Sequence, residues 1–497
     1  MRSTLGGQRW LGFRRLRFYE ARVRVAPPIC RGLLRVMARD QDDMTPIETR
    51  DELVAWLAAG EKPREKFRVG TEHEKFAFTL ADNRPVAYQG TRSIQGLLEG
   101  MQALLGWEPI MEGPHIIGLS DVTGGGAITL EPGGQFELSG APVATVHRTC
   151  SELMAHLAQL REVAEPLGIG FLGLGMAPSW SRADMPMMPK GRYQIMTAYM
   201  PKVGRLGLDM MYRTCTVQAN LDFSSEADMV KKLRVSLALQ PVATALFANS
   251  PFTEGKPNGF LSFRSEIWRD TDPDRSGTLP WAFEPGMGYE RWTDYALDVP
   301  MYFVKRGGRY IDVAGRSFRD LMAGKLAELP DLRSRNERAT VADWANHLST
   351  IFPEVRLKRY LEMRGADAGP WARLPSLTAF WVGLFYDDAC LDAAWDIIKG
   401  WTIEERQKLR DDVPRLGFRA TIGGRNLLSI ARETLALARA GLTRRKRFDP
   451  YGADETRYLK PLDDLAERGE TPAEELLRKF HGPWGGSVDP VFAEYAY

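Results

Sequence analysis

The sequence predicts an α+β fold built on an antiparallel sheet, and three observations carry that expectation. Short stretches with two-residue alternation, such as "CTVQANLDF", lie far apart along the chain. Between them run longer segments with apolar residues near helical spacing, such as "SIQGLLEGMQALLG". The chain has 497 residues, 44% apolar and 26% charged, which suits a globular protein large enough for a composite enzyme fold.

The elements follow in order. Residues 47–60 read as a helix ending at Gly60, with Thr45 or Thr49 as its cap and acids in its first turn. Residues 66–79 read as a strand, and "SIQGLLEGMQALLG" as a helix. From 109 to 139 short strands alternate with Gly-rich turns. "SELMAHLAQLREVAEPLG" is an amphipathic helix closed by Gly168, and "GFLGLGMAP" a buried strand. "EADMVKKLRVSLALQPVATALFANS" is a helix kinked or broken at Pro241. Residues 301–312 give one strand and "EVRLKRYLEMRGAD" another. "SRNERATVADW" is a surface loop leading into a helix, and the tail from about 400 is mainly helical.

Composition excludes several function classes. A net charge of +2 argues against nucleic acid as partner, and no apolar run is long enough to span a membrane. Cys30, Cys150, Cys215 and Cys390 stand far apart, which suits a reducing cytoplasm rather than a disulfide scaffold or a zinc site. There are six histidines, none in a HExxH pattern, and neither phosphate-binding glycine motif is present. "GGG" at 124–126 reads as a turn. Residues 1–39 hold ten arginines, no lysine and one acid, Glu20. That stretch reads either as an organelle leader or as an over-long start ahead of Met37 or Met44, and the second reading is preferred.

The chemistry concentrates on strand faces. In "TEHEKFAF", Glu72 and Glu74 share one face with Phe76, while His73 and Lys75 share the other. Two buried like charges side by side are costly, and a cation between them removes the cost. A wet edge strand is the plainer alternative. In "LEPGGQFELSG", Glu131, Gln135 and Glu137 share parity if the Pro-Gly-Gly start keeps the register. Thr214, Thr216, Gln218, Asn220 and Asp222 share a polar face opposite Cys215, Val217, Ala219 and Leu221. Tyr360, Glu362 and Arg364 do the same opposite Leu361 and Met363. Adjacent in one sheet, these faces would form a floor of carboxylates, amides and arginines suited to magnesium with substrate phosphates. Lys190 and Arg192 in the Pro- and Gly-flanked "MPKGRYQIM" read as a phosphate- or carboxylate-binding loop, or as a solvated basic turn. Arg264, beside Phe263 and Trp268, could clamp a carboxylate or merely stack.

Seven stretches taken together resemble a known family. They are "FRVGTEHEKFAF", "LEPGGQFELSGAP", "MPKGRYQIMTAYMPKVG", "MMYRTCTVQANLDFSSEADM", "LALQPVATALFANSPFTEGKPNG", "YALDVPMYFV" and "TIFPEVRLKRYLEMRGAD". The likeness, from about residue 45 to Tyr497, is to the plant and proteobacterial type of glutamate–cysteine ligase. It implies a glutamine-synthetase-like catalytic domain with a curved antiparallel sheet flanked by helices. It implies ATP and Mg2+, with L-glutamate and L-cysteine joined through γ-glutamyl phosphate. By resemblance, Glu72, Glu74, Glu131, Glu137, Glu362 and Gln218 are metal ligands, with Gln135 a weaker candidate. Arg364 reaches the transferred phosphoryl group and Lys190 the nucleotide. Arg192 and Arg264 hold substrate carboxylates, Arg192 also counting as catalytic. Tyr302 lines the amino-acid pocket, and Arg213 is a further anionic contact.

One departure bears on regulation. Plant members of this type switch activity and dimerisation through disulfides. Cys150 matches one such cysteine, but Pro375 stands at its partner's position, and Val313 and Glu328 at those of the second pair. This points to a cytoplasmic bacterial member, monomer or homodimer, or to an organellar one if the arginine-rich start is a leader. Three other readings stay open: a γ-glutamyl ligase with another amine acceptor, a non-catalytic glutamate or nucleotide sensor, and a metal-dependent amide hydrolase.

Overall fold

The computed structural model describes residues 43–333 and 338–497. The arginine-rich stretch, Cys30 and part of "SRNERATVADW" lie outside these residues.

A nine-stranded sheet organises the described chain. Its strands are β1 (Val69–Thr79), β2 (Glu108–Glu112), β3 (His115–Ser120), β4 (Ala127–Leu130), β5 (Phe136–Ser139), β6 (Ile169–Leu172), β7 (Thr216–Leu221), β8 (Val355–Leu357) and β9 (Leu361–Asp367). Their order is β8-β9-β7-β1-β5-β4-β3-β2, every neighbouring pair is antiparallel, and β6 also pairs with β1. "TEHEKFAF" is therefore the centre of the sheet, not a wet edge. Over Glu72–Lys75, β1 pairs with β5; from Phe76 to Thr79 it changes partner to β6.

The helices start where the sequence provides caps. In α1 (Arg50–Ala58), Thr49 accepts from the Glu52 amide and Glu52 reaches back, a reciprocal capping box. Ser93 caps α2 (Ile94–Leu105), and Gly106, at φ +68°, closes it. Thr145 caps α3 (Val146–Ala164), which begins five residues ahead of the expected start. "MPKGRYQIM" is not a loop: Lys190 is the N-cap of α4 (Gly191–Tyr199), so Arg192 lies in a first helical turn.

Three further expectations are corrected. α6 (Glu226–Phe247), which follows the short α5 (Gly207–Arg213), runs unbroken through Pro241. Proline in a helix interior costs about 3 kcal/mol. Here residues 235–247 are buried throughout and pack along β9, and tertiary burial outweighs that cost. Residues 301–312 form a hairpin, Phe303–Arg306 against Arg309–Asp312, and "EVRLKRYLEMRGAD" forms a second, β8 with β9. The tail from about 400 is mainly helical, and the helical run begins earlier, at Leu374. Its first helix, Leu374–Phe385, is buried along its length and packs on β1, β7 and α3.

Two predictions follow from the chain's early part and its thiols. The Ala342 amide donates to the Asp43 carbonyl at 2.7 Å, Val341 to Thr45 at 2.9 Å and Ile47 to Ala339 at 2.8 Å. A protein starting at Met37 should keep full activity and melting temperature. One starting at Met44 loses the Asp43 bond, worth about 1 kcal/mol, and should melt slightly lower. A large loss of activity from either start would show that the removed residues take part in function. Cys150, Cys215 and Cys390 carry free thiols. Mild oxidation followed by non-reducing peptide mapping should show no reversible internal bridge that alters activity.

A buried acidic face and its candidate active site

The register brings the polar faces together. Glu72 lies opposite Gln218 on β7 and Ser139 on β5, and Glu74 lies opposite Glu137. Glu362 on β9 lies opposite Asn220, and Glu137 opposite Thr129 on β4. Directly opposed residues share a face, so these side chains form one continuous surface. Glu131 joins it by a route the sequence did not show. "LEPGGQFELSG" is a hairpin, not one strand, and the Glu131 amide donates to the Gln135 carbonyl at 3.0 Å. Gly134, at φ +82°, makes the turn, and a Cβ on Gly133 would collide with the Tyr212 carbonyl oxygen.

Three carboxylates of this face, Glu72, Glu74 and Glu137, are bonded to neutral donors, while Glu131 lies among the charges of Lys190, Arg192 and Arg364. Asn220 donates to Glu72 at 2.8 Å, and the Thr216 amide donates to Glu74 at 2.9 Å. Thr129 and Ser139 donate to Glu137, the latter at 3.1 Å. Burial, then the charges of Glu362 and Glu137, push Glu72 up to about 7. Burial, then Glu131 and Glu137, hold Glu74 well above the carboxylate range. Glu137 is raised by burial and by Glu131. Glu131 is raised by burial, against the pull of Lys190, Arg192 and Arg364. Among the described residues, no three acidic, histidine or cysteine side chains converge on a single ion position. The carboxylates are spread along the face rather than closed into a cage.

Glu362 behaves differently. Arg356 on β8 grips it with two nitrogens, Nη2 at 2.7 Å and Nε at 3.1 Å, Lys358 lies at 3.2 Å, and Arg364 closes the network. Burial opposes its ionisation, but these three cations hold it far below the usual carboxylate range. As the chain stands, Glu362 is committed to cations, and the metal role expected of it has the weakest geometric support. Neither Arg356 nor Lys358 was expected; the signal for them was the parity of "VRLKRYLE" once folded back on itself as a hairpin.

Arg364 sits where β9 carries one extra residue against β7 between Met363 and Ala366. This bulge turns its guanidinium to the Gln218 amide oxygen at 2.8 Å as well as to Glu362. Gln218 thus stands at the face but spends its oxygen on Arg364. Arg264, on the short helix α7 (Phe263–Ile267), is 2% exposed and donates to the Arg364 carbonyl at 3.1 Å, with Asp367 and Glu74 as its nearest negative charges. Its Nε has no partner among the described residues. Both arginines line a small cleft with Trp268, Phe352, Glu354 and Gly365. On the β4–β5 side, Lys190 donates to the Leu130 carbonyl at 2.8 Å, and Arg192 packs over the Phe303 ring at 5.1 Å.

Three expected residues are placed elsewhere. Arg213 pairs with Asp209 one helical turn earlier and with Glu254 at 2.8 Å, a structural clamp. Tyr302 donates to Asp272 at 3.2 Å beneath the stacked guanidinium of Arg275, inside the core. The Gln135 amide nitrogen donates to the carbonyls of Met211 at 3.1 Å and Thr214 at 3.0 Å, and its oxygen accepts from Gly133, so it ties the hairpin to α5.

Known proteins resemble this chain closely. It is 57% identical over 449 residues to the chloroplastic glutamate–cysteine ligase of Nicotiana tabacum, covering 90% of this chain and 83% of that protein. It is 54% identical over 454 residues to the chloroplastic glutamate–cysteine ligase B of Oryza sativa subsp. japonica, covering 91% and 88%. A crystal structure of glutamate–cysteine ligase from Francisella tularensis in complex with AMP superposes with a TM-score of 0.51 at 13% identity, covering 88% of this chain and 89% of that one. That likeness shows the fold, of the glutamine-synthetase-like α+β class expected from the sequence. Residues 68–494 match the profile described as Glutamate-cysteine ligase family 2 (GCS2), and the chain belongs to that family.

Proposed function

We propose that the acidic face holds Mg2+ against the phosphates of ATP while the enzyme joins the γ-carboxylate of L-glutamate to the amine of L-cysteine. The chain is an ATP-dependent carboxylate–amine ligase of glutathione synthesis. The observation that carries the site assignment is the gathering of four carboxylates on one sheet face, Glu72, Glu74, Glu131 and Glu137, three of them bonded to neutral donors, within reach of the charges of Arg264 and Arg364. Burying four mutually repelling carboxylates stabilises nothing by itself. It is explained if their charge is completed on binding, and oxygen donors on one face suit a hard divalent cation.

Phosphoryl transfer is mostly positioning and charge neutralisation. When bound, magnesium would supply positive charge to the phosphate oxygens. Arg364, held between Gln218 and Glu362, presents its remaining donors to the transferred group. Arg264, with an unengaged Nε, is placed to take a substrate carboxylate. Arg192 and Lys190 approach from the Glu131 side and take the second anionic group, Arg192 through its planar fork. The acyl phosphate then meets the cysteine amine, and γ-glutamylcysteine, ADP and phosphate leave. Trp268 and Phe352 give the cleft apolar lining, which disfavours water as a competitor for the acyl phosphate.

ADP release should require glutamate, cysteine and magnesium together; release with water alone as acceptor would favour hydrolysis. Glu72→Gln should lower turnover at limiting magnesium by roughly a hundredfold or more. It should leave the metal-free melting temperature at pH 8 unchanged or higher, because a repelling charge is removed. Near-normal turnover in this variant would remove Glu72 from the ligand set.

The raised Glu72 pKa fixes a pH dependence with a definite sign. Between its unperturbed value of 4.5 and about 7, the folded protein holds a proton that the unfolded chain has released. Metal-free stability should therefore fall as pH rises through that window and level off above it. Added Mg2+ should recover the lost melting temperature above about pH 7, where the carboxylate is ionised, and much less near pH 5. A melting temperature that rose across the window in the metal-free protein would show that the face is compensated by other groups.

A further inference from the structure

The reverse side of β1 carries two titratable side chains that the reaction does not use. His73 and Lys75 alternate with Glu72 and Glu74, and both are fully buried. The Lys75 ammonium donates to the Phe136 carbonyl at 3.1 Å and lies 3.1 Å from His156 Nε2 on α3. His156 stacks on the Phe136 ring with centroids 6.4 Å apart, and His73 meets it edge-on at 5.6 Å. Among the described residues, neither His73 nitrogen has a hydrogen-bond partner.

The position of this cluster is specific. Lys75 is the last β1 residue paired with β5; at Phe76 the strand turns to β6. Its cross-strand partner is Phe136, and the next pair along is Glu74 with Glu137. The lysine therefore grips β5 one residue from a metal-face carboxylate, at the point where the ladder that holds the two strands in register ends. Packing alone would be met by an apolar side chain, because a buried ammonium is costly unless its bonds are needed.

From this geometry we infer that Lys75, oriented by His156, is a positioning residue that sets the spacing of Glu74 and Glu137 across the β1–β5 pair and so tunes divalent-cation binding on the opposite face. The inference rests on the metal reading of that face. The strut works through the backbone: pulling the Phe136 carbonyl toward β1 fixes the Cα of Glu137, and with it the reach of its carboxylate. Supporting groups of this kind typically change metal affinity or activity by ten- to a hundredfold.

The test uses the full chain, Mg2+ alone as probe, and two readouts: the Mg2+ concentration giving half the maximal rise in melting temperature without substrates, and the Mg2+ midpoint of turnover. Lys75→Met should raise both midpoints by roughly tenfold, with the KM for cysteine unchanged. His156→Leu should act in the same direction. His156→Gln, whose amide oxygen can accept from the ammonium, should restore most of the affinity. Unchanged midpoints in folded Lys75→Met would overturn the inference, as would a lowered metal-free melting temperature with the Mg2+ midpoints intact. Failure of both Lys75→Met and His156→Leu to fold would also overturn it, since the cluster would then be purely structural. Glu74→Gln separates the two levels of argument. If it too leaves both midpoints unchanged, the metal reading itself fails; if it shifts them and Lys75→Met does not, only the strut fails.

Discussion

The cross-strand pair of Glu74 and Glu137 is the constraint on which the rest of the site depends. Two carboxylates directly opposite on neighbouring strands repel, and like charges so placed weaken a sheet. Here they stand in its centre, between β7 and β4, where the backbone ladder continues on both sides. The sheet can hold them because the opposite face is anchored by apolar packing. Val217, Ala219 and Leu138 are buried there, and the Leu374–Phe385 helix lies against β1 and β7. Stability drawn from one face is spent on preorganisation at the other.

The face is also electrically divided. At its β8–β9 end, Glu362 is saturated by Arg356, Lys358 and Arg364. At its β1–β5–β4 end, Glu72, Glu74 and Glu137 are hydrogen-bonded to neutral donors. This gradient separates two tasks. The saturated end holds Arg364 rigidly, and a guanidinium braced on two sides would lose little freedom on meeting an anion. The unsaturated end can accept a cation without first breaking ion pairs, a cost that would otherwise be subtracted from affinity.

Much of this was legible in the sequence because strand parity is a strict code. Alternation alone put Glu72 with Glu74, and Gln218 with Asn220, on the correct faces. It could not show that Glu131 enters through a hairpin, because the Pro-Gly-Gly turn conceals a reversal that happens to preserve the face. It could not show that Arg356 clamps Glu362, because that contact needs the turn at residues 358–360 to be recognised. Arg213 and Tyr302 were expected at the site on likeness. The Arg213 guanidinium instead bonds Asp209, one turn earlier on its own helix, and Tyr302 bonds Asp272, an acid that no local pattern connects to it. Pro241 misled for the opposite reason: a strong local signal was overridden by burial on all sides.

The two faces of β1 cannot vary independently. A period of two makes each residue of "EHEK" a neighbour in sequence of one on the other side, so any shift that relieves the carboxylates moves His73 and Lys75 within a close-packed core. A one-residue slip would put Glu72 and Glu74 against the Leu374–Phe385 helix and expose the histidine and lysine to the cleft. Register and acidic face are thus specified by the same four residues. The strand is held in place less by its hydrogen bonds, which any register could supply, than by the cost of burying the wrong charges on the wrong side.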